Sequence, residues 1–124
     1  MTVPILKQGD MLIAQVQAAL TDKDLLQLRD DLTDKVGRFR AKGVVIDVTA
    51  VDVMDSFATR TLRGLAETVR LRGAQAVVVG IQPEVAMSMV QLGLGLGGVS
   101  TALDLEQGME ILTELAAEDR VGGR

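Results

Sequence analysis

Apolar positions run almost without interruption through two stretches of this chain, and elsewhere they follow a helical period. Residues 43–48 and 76–81 form the continuous runs, which are typical of strands buried on both faces. Two shorter apolar runs, at 3–6 and 11–16, flank a Gly-Asp pair that suits a tight turn. We therefore expect a β-hairpin at the beginning of the chain and two central strands after it.

Between the runs, apolar residues recur every three or four positions, as on one face of an α-helix. The first helix is predicted to begin at a Thr21 cap and to end near Gly43, and the last is predicted to begin at an Asp104 cap. A second helix begins near Ser56, and a third begins at Pro83. The predicted inward stripes are, in order, Leu25, Leu28, Leu32, Val36 and Phe39; Ala58, Leu62, Leu65 and Val69; Val85, Ala86, Met89 and Leu92; and Leu105, Met109, Leu112 and Leu115.

The order of these elements is β-β-α-β-α-β-α-(β)-α, with a short last strand near 99–101. Helices that alternate with strands after a first hairpin predict an α/β fold with a mainly parallel sheet. The chain has 124 residues, the size of one domain, and no linker or repeat divides it. We expect a single domain over residues 1–117 and a flexible tail over 118–124.

The composition argues against most kinds of catalytic, metal-binding and nucleic-acid-binding site. There is no Cys and no His, which excludes disulfides and thiol catalysis and removes the commonest general base and metal ligand. A net charge of −4 and the absence of Trp and Tyr disfavour nucleic acid as a partner. No signal-peptide pattern and no membrane-length apolar stretch occur, so a cytoplasmic location is expected. The sequence predicts a non-enzymatic, protein-binding domain without a cofactor.

Two patterns could indicate a bound ligand, and the context weakens both. Residues 93–98 contain G-x-G-x-x-G, but they follow a predicted helix instead of a strand, so a nucleotide site is the minor alternative to a flexible loop. Asp47, Asp52 and Asp55 surround one loop and could bind a metal ion. A carboxylate at a helix start is already favoured by the helix dipole, which makes a metal the less favoured interpretation.

Ser56 is the most informative candidate. Serine at the start of a helix commonly caps it, and physical chemistry alone favours this role. A phosphoryl group there would meet unpaired N–H groups and would add roughly −1.5 to −2 units of charge, while the core need not change. The cap and the phosphorylation site are therefore the two hypotheses for Ser56.

The sequence of residues 43–57, GVVIDVTAVDVMDSF, resembles the signature of STAS domains, the anti-sigma-factor antagonist family. More narrowly it is similar to stressosome scaffold subunits of the RsbS type, and residues 3–7, 80–86 and 101–108 support that likeness. The resemblance implies a four- to five-stranded mixed sheet with helices packed mainly on one face.

The resemblance also implies a function. A scaffold of this type sequesters a switch serine/threonine kinase of the RsbT type and releases it after phosphorylation, in general stress-response signalling. Ser56, which follows Asp55, matches the family's phosphorylated serine. Thr21 is a second candidate for phosphorylation, although threonine is also a common helix cap. The implied partner-binding surface comprises Asp52, Asp55, Ser56, Phe57 and Arg60.

The implied partners extend beyond the kinase. They include a sensor-bearing paralogue of the RsbR type and a serine phosphatase that resets the site, with a homodimer and a large hetero-oligomer as the expected assemblies. The alternative within the same fold is a stand-alone anti-sigma-factor antagonist that binds an anti-sigma kinase directly.

Overall fold

A computed structural model describes residues 3–18 and 20–122, and within them the predicted order of elements is confirmed. Every predicted strand and helix is present in that part of the chain, and the fold class is α/β. The strands are β1 (Ile5–Gln8), β2 (Met11–Gln15), β3 (Gly43–Asp47), β4 (Gln75–Val79) and β5 (Ser100–Ala102). The helices are α1 (Asp22–Phe39), α2 (Ser56–Leu71), α3 (Pro83–Gln91) and α4 (Leu105–Gly122).

The strands form one mixed sheet in the order β1-β2-β3-β4-β5. β1 and β2 are antiparallel and turn at Gly9, whose φ of +62° is accessible to glycine. All other neighbours are parallel, with Met11 opposite Gly43 and Gly43 opposite Gln75. Because parallel strands end at the same edge of a sheet, the loops that lead into α1, α2 and α3 meet at one edge.

Helices cover both faces of the sheet, unequally. α1, α2 and α3 share the larger core with strand residues such as Leu12, Val44 and Val78. On the other face, Leu112 of α4 packs in a smaller cluster with Val45 and Val77. The prediction of helices mainly on one face is confirmed.

The ends of the helices differ from the predictions. Phe39 and Leu92, assigned to the core, are 41% and 69% exposed, because each lies at the end of its helix, where the stripe has run past the sheet. Gly43 does not end α1 but begins β3; α1 ends at Phe39, and its C-cap residue Arg40 takes a left-handed φ of +51°. α4 continues to Gly122, beyond the boundary predicted at 117, and residues 123–124 lie outside the described residues.

Arg72, the residue that follows α2, occupies the space beside Gly37 of α1. The Nη1 atom of Arg72, at the C-terminal end of α2, donates a hydrogen bond to the carbonyl oxygen of Thr33 at 3.0 Å. A Cβ atom at Gly37 would lie 2.9 Å from Cζ of this arginine, so a side chain at that position would displace the guanidinium. The glycine therefore lets α1 and α2 share one hydrogen-bonded contact.

Candidate functional site

Asp47 shapes the chain directly after β3. Its Oδ1 atom accepts the N–H of Thr49 at 2.9 Å and the hydroxyl of the same residue at 2.6 Å, which is an Asx-type turn. The N–H of Val51 then donates to the carbonyl oxygen of Val48 at 3.0 Å. Val51 and Met54 are buried, and they attach the loop between β3 and α2 to the core.

The chain after β4 supports this turn from the neighbouring strand. Gln82 Nε2 donates to the carbonyl oxygen of Thr49 at 2.8 Å and lies 3.4 Å from Oδ1 of Asp52. Gly80 has a φ of +80°, and a Cβ atom there would lie 3.2 Å from Cα of Thr49. Only glycine combines this conformation with so close an approach. Sequence analysis missed Gly80 and Gln82 as parts of the site because the glutamine contact joins positions 33 residues apart.

Asp55, and not Ser56, caps α2. The Oδ1 atom of Asp55 accepts the N–H of Ala58 at 2.8 Å, and its carbonyl oxygen accepts both the N–H and the hydroxyl of Thr59, at 3.0 and 2.9 Å. The capping hypothesis for Ser56 is therefore wrong, because Ser56 is already the first residue of the helix. Its side chain is exposed, and its hydroxyl makes no hydrogen bond to any residue that the structure describes.

The charges around Ser56 are of both signs. Asp52 and Asp55 precede it and are exposed. Arg60 follows it by four positions, so both side chains lie on the same face of α2. Arg60 is also exposed, and it makes no ion pair within the described part of the chain. Along the chain, the exposed hydroxyl thus follows two exposed carboxylates and precedes an exposed guanidinium.

Two apolar residues near Ser56 in the chain differ in exposure. Phe57, predicted to bind a partner, is half-buried and packs against the larger core, so only part of its ring is accessible. Val53 is 76% exposed, although it stands between buried Val51 and Met54. Sequence analysis missed Val53 because a loop has no periodicity from which exposure can be predicted.

The start of α1 is arranged differently. Thr21 Oγ1 accepts the N–H of Asp24 at 3.1 Å, and Asp24 Oδ2 accepts the N–H of Thr21 at 3.1 Å. This reciprocal pair is a capping box, which confirms the predicted cap. The backbone N–H of Thr21 also holds the pKa of Asp24 below its ordinary value of 3.8. The hydroxyl of Thr21 therefore already has a structural partner.

The starts of α1 and α2 lie side by side. A cavity of about 200 Å³ separates them, with Leu20 and Asp22 on one side and Val53, Met54 and Asp55 on the other. The two hydroxyls that sequence analysis singled out are thus brought to one edge of the sheet.

The glycine-rich loop is a turn fixed by other elements. It follows α3, with positive φ angles at Gly93 (+70°) and Gly97 (+63°), and it leads into β5. Leu96 within it is buried, and Arg63 of α2 donates to the carbonyl oxygen of Gly95 at 3.1 Å. The loop does not open a helix, so the context that a dinucleotide motif needs is missing.

Two of the three aspartates near this loop hold the local backbone. Asp47 and Asp55 accept hydrogen bonds from the backbone, and Asp52 lies beside Gln82. Among the described residues, no group of three acidic side chains is placed to hold a metal ion. In the same part of the chain, no helix has the length and the apolar character needed to cross a membrane.

Family and sequence comparisons identify relatives of this chain. The family model for the STAS domain matches residues 2–102. The RsbT co-antagonist protein RsbRA of Bacillus subtilis is 34% identical over 89 residues, a match that covers 72% of this chain and 32% of RsbRA. RsbRC of the same organism is 42% identical over 55 residues, which cover 44% of this chain and 20% of RsbRC. This chain therefore spans about a third or less of the length of these two relatives.

Solved structures give a closer match in length. A serine-to-glutamate variant of RsbS from Moorella thermoacetica has a TM-score of 0.79 and 36% identity, covering 93% of this chain and 97% of that one. A chain from a structure of the stressosome, a signal integration and transduction hub, has a TM-score of 0.76 and 37% identity, covering 91% and 98%. The unphosphorylated anti-sigma factor antagonist SpoIIAA, at 15% identity and a TM-score of 0.62, shares the fold.

Proposed function

Because this chain belongs to the STAS-domain family, we propose that it is a non-enzymatic scaffold that binds an RsbT-type switch kinase and releases it after phosphorylation of Ser56. Its relation to RsbS and RsbR proteins makes it a stressosome-type STAS protein. The observation that carries the proposal is the exposed hydroxyl of Ser56, directly after a helix cap that does not use it.

Phosphorylation at this position changes the surface without disturbing the fold. The N–H of Ala58 is already bonded to Asp55, so the cap persists in either charge state. The phosphate adds roughly −1.5 to −2 units of charge beside two exposed carboxylates. A kinase surface that accepts the neutral hydroxyl and places its own acidic groups there is then repelled.

The same relationship supports an assembly role. Two solved chains that this protein resembles, an RsbS variant and a chain from a stressosome structure, are covered over nearly their whole length. We therefore assign an RsbR-type paralogue as the co-assembling subunit, with a homodimer as the smallest unit. A serine phosphatase would reset Ser56.

Intact-mass spectrometry after incubation with an RsbT-type kinase and Mg-ATP tests the site. We expect one added phosphate on the unmodified protein and none on Ser56→Ala. The matched control is Thr21→Ala, which should still gain one phosphate. A protein that gains no phosphate, or one that keeps it in Ser56→Ala, contradicts the proposal.

The release step needs its own measurement. Ser56→Asp should bind the kinase at least about tenfold more weakly than Ser56→Ala, because only the first places charge at the contact. Isothermal titration calorimetry gives both dissociation constants. Equal affinities would show that charge at Ser56 does not control release.

A further inference from the structure

The sheet face that carries α4 is covered over only part of its width in the described residues. α4 packs against β3, β4 and β5. On β1, Leu6 lies opposite Ile13, a buried member of the α4-side core, and opposed residues project from the same face. Leu6 is nevertheless 55% exposed. The β1 side of this face is therefore open.

An open groove runs between β1 and α4. Gln8 of β1 forms one wall, and Leu105, Met109 and Thr113 of α4 form part of the other. Leu105, which was predicted to face the core, is 37% exposed, because it lies at the first turn of α4 and faces this groove. The groove is thus partly lined by the apolar side chains of Leu105 and Met109, and exposed Leu6 lies two residues before Gln8 on the same face of β1.

A row of carboxylates borders the groove. Glu106, Glu110 and Glu114 lie four positions apart on α4, so they follow one helix face over about 12 Å. All three are exposed, and none makes an ion pair with a described residue. Like charges at this spacing destabilise a helix. The row is therefore a cost to the isolated domain that a cationic partner would relieve.

We propose that this groove binds a basic amphipathic helix of a partner protein. Lysine or arginine residues at successive turns of such a helix match the spacing of the three carboxylates, and its apolar stripe covers Leu6 and Leu105. Nucleic acids and anionic lipid surfaces carry the wrong charge for this groove. The surface lies on α4, across the sheet from α2 and Ser56, so it is independent of the proposed kinase site.

The test uses a synthetic helical peptide of Leu and Lys with one apolar stripe, titrated into the full chain. Fluorescence anisotropy gives the affinity, and ¹⁵N NMR shifts give the location. The triple variant Glu106→Gln/Glu110→Gln/Glu114→Gln should weaken binding about tenfold. Leu105→Ser, which keeps the charges, should weaken it several-fold. A charge-matched control with Glu67→Gln, Glu84→Gln and Asp22→Asn should stay within about twofold.

Each contrary outcome is distinct. No binding of the peptide, equal binding of a scrambled peptide without the stripe, or equal losses in the two triple variants would overturn the proposal. Shifts that map to α2 instead of α4 and β1 would do the same. If sedimentation shows a dimer of the protein alone that the Glu106→Gln/Glu110→Gln/Glu114→Gln variant loses, the occupant is a second copy, and the basic partner is ruled out.

Discussion

The starts of α1 and α2 lie side by side at one edge of the sheet, and each offers one hydroxyl group to solvent. In α1, the Thr21 hydroxyl accepts a hydrogen bond that holds the first turn. In α2, Asp55 performs that role one residue earlier, and Ser56 makes no bond within the described residues. Modification of a hydroxyl that holds a helix cap would break that cap. A hydroxyl that makes no such hydrogen bond can be modified with little loss of stability.

The hydrogen bonds that support the starts of α1 and α2 also differ. The chain before α2 is supported by Asp47 from β3 and by Gln82 from the β4 side. The cap of α1 is a reciprocal pair of hydrogen bonds between Thr21 and Asp24. The chain before α2 is therefore supported by residues from two neighbouring strand ends, while the capping box of α1 joins residues within one turn.

The largest expected effect comes from disturbing the close contact between Gly80 and Thr49, which supports the chain before α2. Gly80→Ala should lower the free energy of unfolding by about 3 kcal/mol, because the new Cβ meets Thr49 in a backbone conformation that alanine rarely adopts. Urea denaturation measures it. The control is Gly64→Ala in α2, which has open space and should be stabilising by about 0.5–1 kcal/mol. Equal effects of the two variants would show that the contact with Thr49 is unimportant.

A smaller effect tests which residue caps α2. Asp55→Ala should lower the unfolding free energy by about 1–2 kcal/mol, since the N–H of Ala58 loses its acceptor. Asp52→Ala, a nearby exposed carboxylate, should change it by less than about 0.5 kcal/mol. Thermal denaturation of both variants gives the comparison, and similar losses would remove Asp55 from the capping role.

The two hydroxyls can be compared directly. Thr21→Ala should destabilise the protein by about 1 kcal/mol, because it breaks the capping box. Ser56→Ala should stay within about 0.5 kcal/mol of the unmodified protein. Denaturant titration decides between them, and a Ser56→Ala loss as large as that of Thr21→Ala would contradict the assignment of Ser56 as structurally dispensable.

The smallest effect is a pH dependence confined to α1. The pKa of Asp24 is lowered in the folded state, chiefly by the N–H of Thr21, so its contribution is present above the ordinary value of 3.8 and is lost as the pH falls through the lower folded pKa. Asp24→Asn should therefore lose less stability than the unmodified protein as the pH is lowered through this range. Denaturation curves recorded between neutral and acidic pH would detect it; parallel curves for both proteins would exclude the contribution.

Sequence alone predicted the elements because their signals are local. The apolar runs at 43–48 and 76–81 gave β3 and β4, and the stripe from Leu25 to Val36 gave α1 with its buried side. The cap of α2 was misplaced because Asp and Ser are both good N-cap residues and stand next to each other. The backbone conformation at Asp55 and Ser56 decides which of the two is the cap, and sequence patterns do not predict that conformation.

The wider site depends on contacts between distant positions. The bonds from Gln82 to Thr49 and from Arg63 to Gly95 join residues 33 and 32 positions apart. No periodicity or composition signals such a pair. Ser56 was a candidate because of its place at a helix start, and the family resemblance favoured phosphorylation, while its lack of a hydrogen bond emerged only from the folded arrangement.

The arginine that fills the space beside Gly37 has a mechanical consequence. Through the bond from Arg72 to the carbonyl oxygen of Thr33, the far end of α2 is fastened to the middle of α1. This bond joins the two helices at a point remote from their starts, which border the cavity at the candidate site. Loss of the Arg72 side chain would therefore remove a contact between α1 and α2 without changing any residue of the surface around Ser56.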